Sequence, residues 1–238
     1  MGPTGSYQTI QAAVDAASAG NTIIVSDGTY TENVVIGKSL TLKAASGAAP
    51  VIDAGNKGPG IKVTANNVRV EGFTLQNAAS NCGIYVTATG TSIVNDKISG
   101  SYYGIFLASS STCNLQGDTV TGASGGGICL VNSKIIIVTE STTSGNTIGL
   151  LINGTSTGNT LYLNDFLDQP SAVTGNSFNT PAKVIYNYKG KQYTNFLGNY
   201  WSGYKGIDGN GNGIGDSIYT LGQIRDTVPL MLPNTNYT

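Results

Sequence analysis

Along most of this chain the apolar residues stand at alternate positions, and the same alternation returns at a fixed interval. Gly60-Ile61-Lys62-Val63, Gly83-Ile84-Tyr85-Val86, Gly104-Ile105-Phe106-Leu107, Gly127-Ile128-Cys129-Leu130 and Gly149-Leu150-Leu151-Ile152 set their glycines 23, 21, 23 and 22 residues apart. A second row, Val70, Ile93, Leu115, Ile137 and Leu161, keeps the interval, and Leu75, Ile98, Val120, Thr142 and Phe166 follow it five residues later. Period-two alternation marks strands, and the Gly, Ser, Thr, Asn and Asp between them are turn formers.

A unit of roughly 22 residues is too short for strand, helix and strand. No helical apolar period appears between Leu40 and Phe166. The pattern therefore predicts an all-β fold, a single-stranded right-handed parallel β-helix, whose coils stack because none can bury its apolar face alone. An antiparallel sandwich is the alternative, but it would show hairpin signals without a fixed repeat. The solenoid takes residues 1–178, and an irregular tail, 179–238, packs on it within the same unit. Residues 6–18 read as an amphipathic helix capping the open end, with Ser6 as N-cap and Ile10, Ala13, Val14 and Ala17 on one face. Ile23-Ile24-Val25, Val34-Val35-Ile36 and Leu40-Thr41-Leu42 then begin the winding, with Gly28-Thr29-Tyr30 as a turn. The opening Met1-Gly2-Pro3-Thr4-Gly5-Ser6 reads as a processed or added start, with any export signal removed or never present.

With 238 residues, 39% of them hydrophobic, the chain can bury a large core as one elongated domain. Only 11% of residues are charged and the net charge is −1, which argues against nucleic acid and against an anionic membrane as partner. No apolar run approaches the ~18 residues of a membrane span. Histidine is absent, which removes imidazole acid–base chemistry and the usual imidazole metal sites. Cys82, Cys113 and Cys129 fit no zinc spacing; they are either unpaired small residues or the source of an intermolecular bridge.

The segment from Ile10-Gln11-Ala12-Ala13-Val14 through Gly28-Thr29-Tyr30-Thr31-Glu32-Asn33-Val34 to Leu40-Thr41-Leu42 resembles the opening coil of the pectin-lyase-like superfamily. The Gly-Ile repeats resemble NosD-like parallel β-helix repeats, frequent in archaeal surface proteins. Tyr193 to Tyr204, with Asn199-Tyr200-Trp201, then Asp208 to Asp216 and Asp226-Thr227-Val228-Pro229-Leu230, resemble the C-terminal segment attached to many of those proteins. The resemblance implies an extracellular or cell-surface protein and supplies no active site. Its copper association transfers poorly to a chain with no His, two Met and three dispersed Cys.

Asp208, Asn210, Asn212, Gly213, Ile214 and Asp216 fall at positions 1, 3, 5, 6, 7 and 9 of an EF-hand-like loop, a pattern that converges oxygens on Ca2+. Tyr219 stands where the bidentate acid belongs, so Asp226 is the candidate to complete the shell. The resembled tail usually carries an acid at Gly203 and often one at Asn212, so weak structural binding is expected, of the ~10⁻⁴–10⁻³ M class. A metal-free surface turn is the plain alternative.

Alternation puts Lys62, Tyr85, Phe106, Cys129 and Leu151 on the outside of successive rungs, the last four an apolar stripe that needs a cover. The aromatic tail (Tyr186, Tyr188, Tyr193, Phe196, Tyr200, Trp201), a second subunit or a sugar ring would each supply one. Asp96, Asp118, Glu140 and Asn164 or Asp165 form a further column. As solvated turn residues they do nothing catalytic; as carboxylates about 5 Å apart they are weak candidates for glycoside hydrolysis. A lyase would need a basic proton acceptor, and Arg69 and Lys97, the nearest, stand on isolated rungs. Asn153-Gly154-Thr155 and Asn236-Tyr237-Thr238 are glycosylation sequons. The favoured reading is a non-catalytic, structural or adhesive surface module that associates with its own copies or other envelope proteins. A carbohydrate-active enzyme or glycan-binding module is the alternative.

Overall fold

A computed structural model describes residues 7–238. Three parallel sheets of seven, eight and seven strands run the length of the molecule, each coil giving one short strand to each face. The Gly-led row aligns as expected: Ile61 pairs with Ile84, Ile84 with Ile105, Ile105 with Ile128 and Ile128 with Leu150. These side chains are all fully buried and form, with the other two rows, one continuous core. Burying each such aliphatic stabilises the fold by about 1.5–3 kcal/mol, which an isolated coil cannot gain.

The other rows hold with one slip. Val138, not Ile137, pairs with Leu115, and Thr143, not Thr142, pairs with Val120. The run Ile135-Ile136-Ile137-Val138 carries no alternation of its own; the chain turns Ile136 and Val138 inward and leaves Ile135 and Ile137 at 59% and 41% exposure. Thr29–Thr31 is a strand rather than a turn, with Tyr30 buried between two exposed threonines.

The capping helix spans Ile10–Ala16 and buries Ile10, Ala13 and Val14. Ser6 lies outside the described residues; the N-cap is Thr9, whose hydroxyl accepts the Ala12 N–H. Glu32 accepts the Ile10 and Gln11 N–H groups, and Lys38 donates to the carbonyls of Asp15 and Ala17. An anion and a cation from the first coil thus satisfy opposite ends of the helix.

Beyond residue 178 the chain closes the far end of the solenoid, and near its end Asn234 and Thr235 lie beside the turns that carry Leu163 and Glu140. Tyr200–Trp201 adds a last parallel strand to the second face, beside Asp165–Phe166. Trp201 stacks between Phe166 and Tyr219 at 4.7 and 4.8 Å, covering the final coil's core. Hairpins 184–195 and 219–226 flank it. Tyr186, Tyr188 and Tyr237 form a small second core with Leu197, Ile214 and Leu230.

Candidate functional site

The outward column of the third face is in register: Lys62 beside Tyr85, then Phe106, Cys129 and Leu151. It does not run as an even apolar stripe. In two coils the strand starts early, as Ala78–Val86 and Ser101–Ala108, nine and eight residues long. The extra residues raise a wall along the column and leave an open groove of about 400 Å³ between wall and sheet. Tyr102, Tyr103, Ser80 and Asn81 supply the wall, and Pro59, Lys62, Cys82, Tyr85 and Phe106 line the rest.

Three rings in the groove are nearly parallel. Tyr85 stacks on Phe106 at 5.6 Å and 24°, and Phe106 on Tyr103 at 4.9 Å and 27°. Tyr102 meets Tyr103 edge-on at 4.6 Å and is itself exposed. Tyr102 and Tyr103 escaped the sequence reading because they fall between the Gly-led repeats; their signal was an aromatic pair immediately before Gly104. Lys62 is the one ionic side chain of the lining, and no carboxylate is among it.

Cys129 occupies its outward position yet is fully buried, since the main chain at Gly126 lies against its sulfur. All three cysteines are free and buried. Burial pushes the Cys82 thiol up to about 12 and raises those of Cys113 and Cys129. The tail aromatics are committed to the far end, so they do not cover the groove.

The acid column is inside the wall. Asp96 and Asp118 are fully buried at the tight turn between the first and second faces, beyond reach of a polymer outside. Glu140 is exposed and accepts from Gln116 Nε2; Ser141 takes its place in the column, the same one-residue slip seen above. Asp165 faces the tail and accepts the Asn234 N–H at 2.7 Å. The column is a hydrogen-bond ladder in which each side-chain oxygen accepts the N–H of the equivalent residue one coil back. Asn199 N donates to Asp226 Oδ2, Asn164 N to Asn199 Oδ1, Ser141 N to Asn164 Oδ1 and Asp118 N to Ser141 Oγ. Asp96 N then donates to Asp118 Oδ1 at 2.9 Å and Phe73 N to Asp96 Oδ1 at 2.6 Å.

Asp226 therefore belongs to this ladder and not to the Asp/Asn/Gly loop. Its carboxylate accepts from Asn199 N, Trp201 Nε1 and Val228 N at 2.8, 2.8 and 3.0 Å. The loop winds on its own oxygens: Asp208 accepts from Asn212 N and Gly213 N, Asn210 from Asn212 N, Asn212 from Ile214 N and Asp216 from Gly209 N. It brings two carboxylates and two amide oxygens to one turn. The Ile214 side chain is buried in the tail core. Both sequon asparagines, Asn153 and Asn236, are exposed.

Stacked coils, a walled aromatic groove and an interior ladder define a parallel β-helix repeat protein. The chain belongs to the family described as periplasmic copper-binding protein (NosD), which matches residues 14–206. Over 99 residues it is 39% identical to a cell surface glycoprotein of Methanothermus fervidus, a stretch that makes up 40% of this chain and 16% of that protein. Among solved structures, an alginate lyase from Paenibacillus sp. superimposes with a TM-score of 0.53 at 16% identity, covering 71% of this chain and 70% of the lyase. A pectin methylesterase from Yersinia enterocolitica gives 0.45 at 14% identity, covering 86% and 93%. The likeness to the lyase is one of fold.

The family description names copper, and the donors here do not suit it. The chain has no histidine. Among the described residues no three His, Cys, Asp or Glu side chains gather as a metal site. A cysteine ligates a metal as its thiolate, and burial favours the protonated thiol at all three.

Proposed function

We propose that this chain is a non-catalytic adhesive module of a cell surface, which docks neighbouring surface components in the aromatic groove of its third face. The observation that carries the reading is the division of chemistry: rings and one lysine line the open groove, while Asp96 and Asp118 are sealed inside the turn between the first and second faces. Without an accessible acid pair the groove has the means to hold a ligand and lacks the paired carboxylates that glycoside hydrolysis uses. The surface location is supported by the name of the Methanothermus relative and by two exposed sequons. Among the described residues no helix is long and apolar enough to cross a membrane.

A glycan strand is the occupant favoured by the lining. Near-parallel rings about 5 Å apart set an apolar surface in the groove for a pyranose to pack on, and Lys62, Ser80 and Asn81 give the polar rim such a ring needs. Calorimetry against a panel of polysaccharides is expected to show binding without release of reducing ends. Tyr85→Ala and Phe106→Ala should each weaken it about tenfold, or ~1.4 kcal/mol. If no polysaccharide binds but sedimentation shows a dimer that Phe106→Ala dissolves, the occupant is a copy of the chain. Cleavage of any polymer would overturn the non-catalytic reading.

Calcium is proposed for the 208–216 loop as a structural ion, held by Asp208, Asn210, Asn212 and Asp216 with the Ile214 carbonyl. With only two carboxylates the affinity belongs to the ~10⁻⁴–10⁻³ M class. Raising calcium to ten times that Kd should stabilise the protein by about 1.4 kcal/mol through mass action, visible as a higher Tm that Asp208→Asn abolishes. An unchanged Tm in both proteins would remove the ion.

A further inference from the structure

Every amide or hydroxyl rung of the interior ladder both accepts and donates. Asn164 Nδ2 donates to the carbonyls of Val138 and Tyr162 at 2.8 and 3.1 Å, and Asn199 Nδ2 to those of Leu161 and Phe178, both at 2.9 Å. Ser141 Oγ donates to Thr139 O at 3.0 Å. Equivalent rungs at other turns behave alike, Asn146 Nδ2 donating to Val120 O and Asn159 Nδ2 to Ser133 O. The inner side of each turn thus presents a main-chain carbonyl that calls for a donor. Strand register pairs Ile93 with Leu115, three residues before Asp118, and Val70 with Ile93, three before Asp96, just as it pairs Val138 with Leu161, three before Asn164.

An ionised carboxylate has no donor to offer. Asp96 Oδ2 and Asp118 Oδ2 are both buried, and neither has a hydrogen-bond partner. Asp226 shows the contrast: as the terminal rung it meets three N–H donors and needs no proton. We infer that Asp96 and Asp118 stand in the folded protein as neutral carboxylic acids, each giving its Oδ2–H to the inward carbonyl as the amide of Asn164 does. Folding then takes up two protons into the wall of the solenoid.

The charged surroundings favour this state. Glu71 and Asp118 face Asp96, and Asp96 faces Asp118. The nearby cations Lys43 and Arg69 are bound to Glu71 at 3.1 and 2.8 Å. Two ionised groups one rung apart, about 4.8 Å, would repel each other in a dry site. Burial lifts Asp96 to about 7, with Glu71 adding to it, and holds Asp118 well above the carboxylate range, with Asp96 adding to that. Because the folded-state values lie above the unfolded value of about 3.9, this contribution is complete in acid below that value. The share of Asp96 is lost as pH rises through about 7.

The test compares the intact protein with Asp96→Asn, Asp118→Asn and the double variant, which supply the donor permanently. In the wild type the unfolding equilibrium constant should rise with pH above about 4, by up to tenfold per pH unit for each acid that the folded protein keeps protonated. The double variant should lose that part of the slope, keeping only what buried Asp165 and Asp226, each raised to about 6, contribute, and melt higher than the wild type at pH 8. Equal slopes and equal melting temperatures would overturn the inference. So would a rise in wild-type Tm with sodium or calcium that the double variant lacks, since a cation would then fill the gap. Isotope-edited infrared spectra give an answer independent of stability: at pH 6 the wild type is expected to show two protonated carboxyl stretches that the double variant lacks, and their absence refutes the proposal.

Discussion

Gly104→Ala is expected to destabilise the protein by about 3 kcal/mol, at the upper end for overpacking, and to lower the urea midpoint without changing m. Gly104 has an ordinary backbone conformation, so conformational freedom is not the issue. A Cβ there would run into Val120 Cγ1 and would come within 2.7 Å of the Gly127 carbonyl oxygen. The obstruction repeats up the column, Gly83 meeting the Gly104 carbonyl at 2.9 Å and Gly127 that of Gly149 at 2.6 Å. Each glycine marks where the second face's side chain and the next coil's backbone meet, and a coil cannot shift without dragging its neighbours. The control is Gly122→Ala. Its Cβ would touch nothing within 4 Å but its φ is +65°, so it should cost only about 1 kcal/mol. If the two variants melt together, spacing at the column is not what selects glycine.

Asp226→Ala should cost about 4 kcal/mol. It leaves two buried N–H donors and the half-buried one of Val228 without an acceptor, each buried donor worth about 1–3 kcal/mol when orphaned, and the costs are not fully additive. Burial raises Asp226 only to about 6, so at neutral pH it is ionised, the form its donors require. Asp226→Asn should recover part of the loss, because one amide oxygen still accepts while the NH2 faces a donor. Trp201 is the chain's single tryptophan and stacks in the dry layer that Asp226 holds. A red shift of its emission under conditions where circular dichroism still reports the coils would show the tail leaving the end. Unchanged emission and Tm would refute the role given to Asp226.

The stacked rows were legible because identical demands recur at every coil: a glycine where space vanishes, an aliphatic where the core lies. Legibility failed where the chain carries no contrast. Four aliphatics from Ile135 to Val138 look alike, and the one-residue slip they caused carried Thr142 and Glu140 into places held by Thr143 and Ser141. Asp96 and Asp118 read as surface acids because composition gives no hint of a dry turn; only their column-mates Ser141 and Asn164 reveal it. The groove depends on two strands beginning early, an irregularity that a search for repeats averages away. Asp226 was matched to the nearest acidic loop, whereas its partners are 25 and 27 residues back, at Trp201 and Asn199.

The manner in which the second face finishes bears on how copies of this chain can meet. Tyr200, in its last strand, is bridged in parallel by Leu230, and Leu230 N donates to Asn199 O at 2.9 Å. Another molecule arriving at that edge finds its backbone already engaged and cannot prolong the stack there as one more winding.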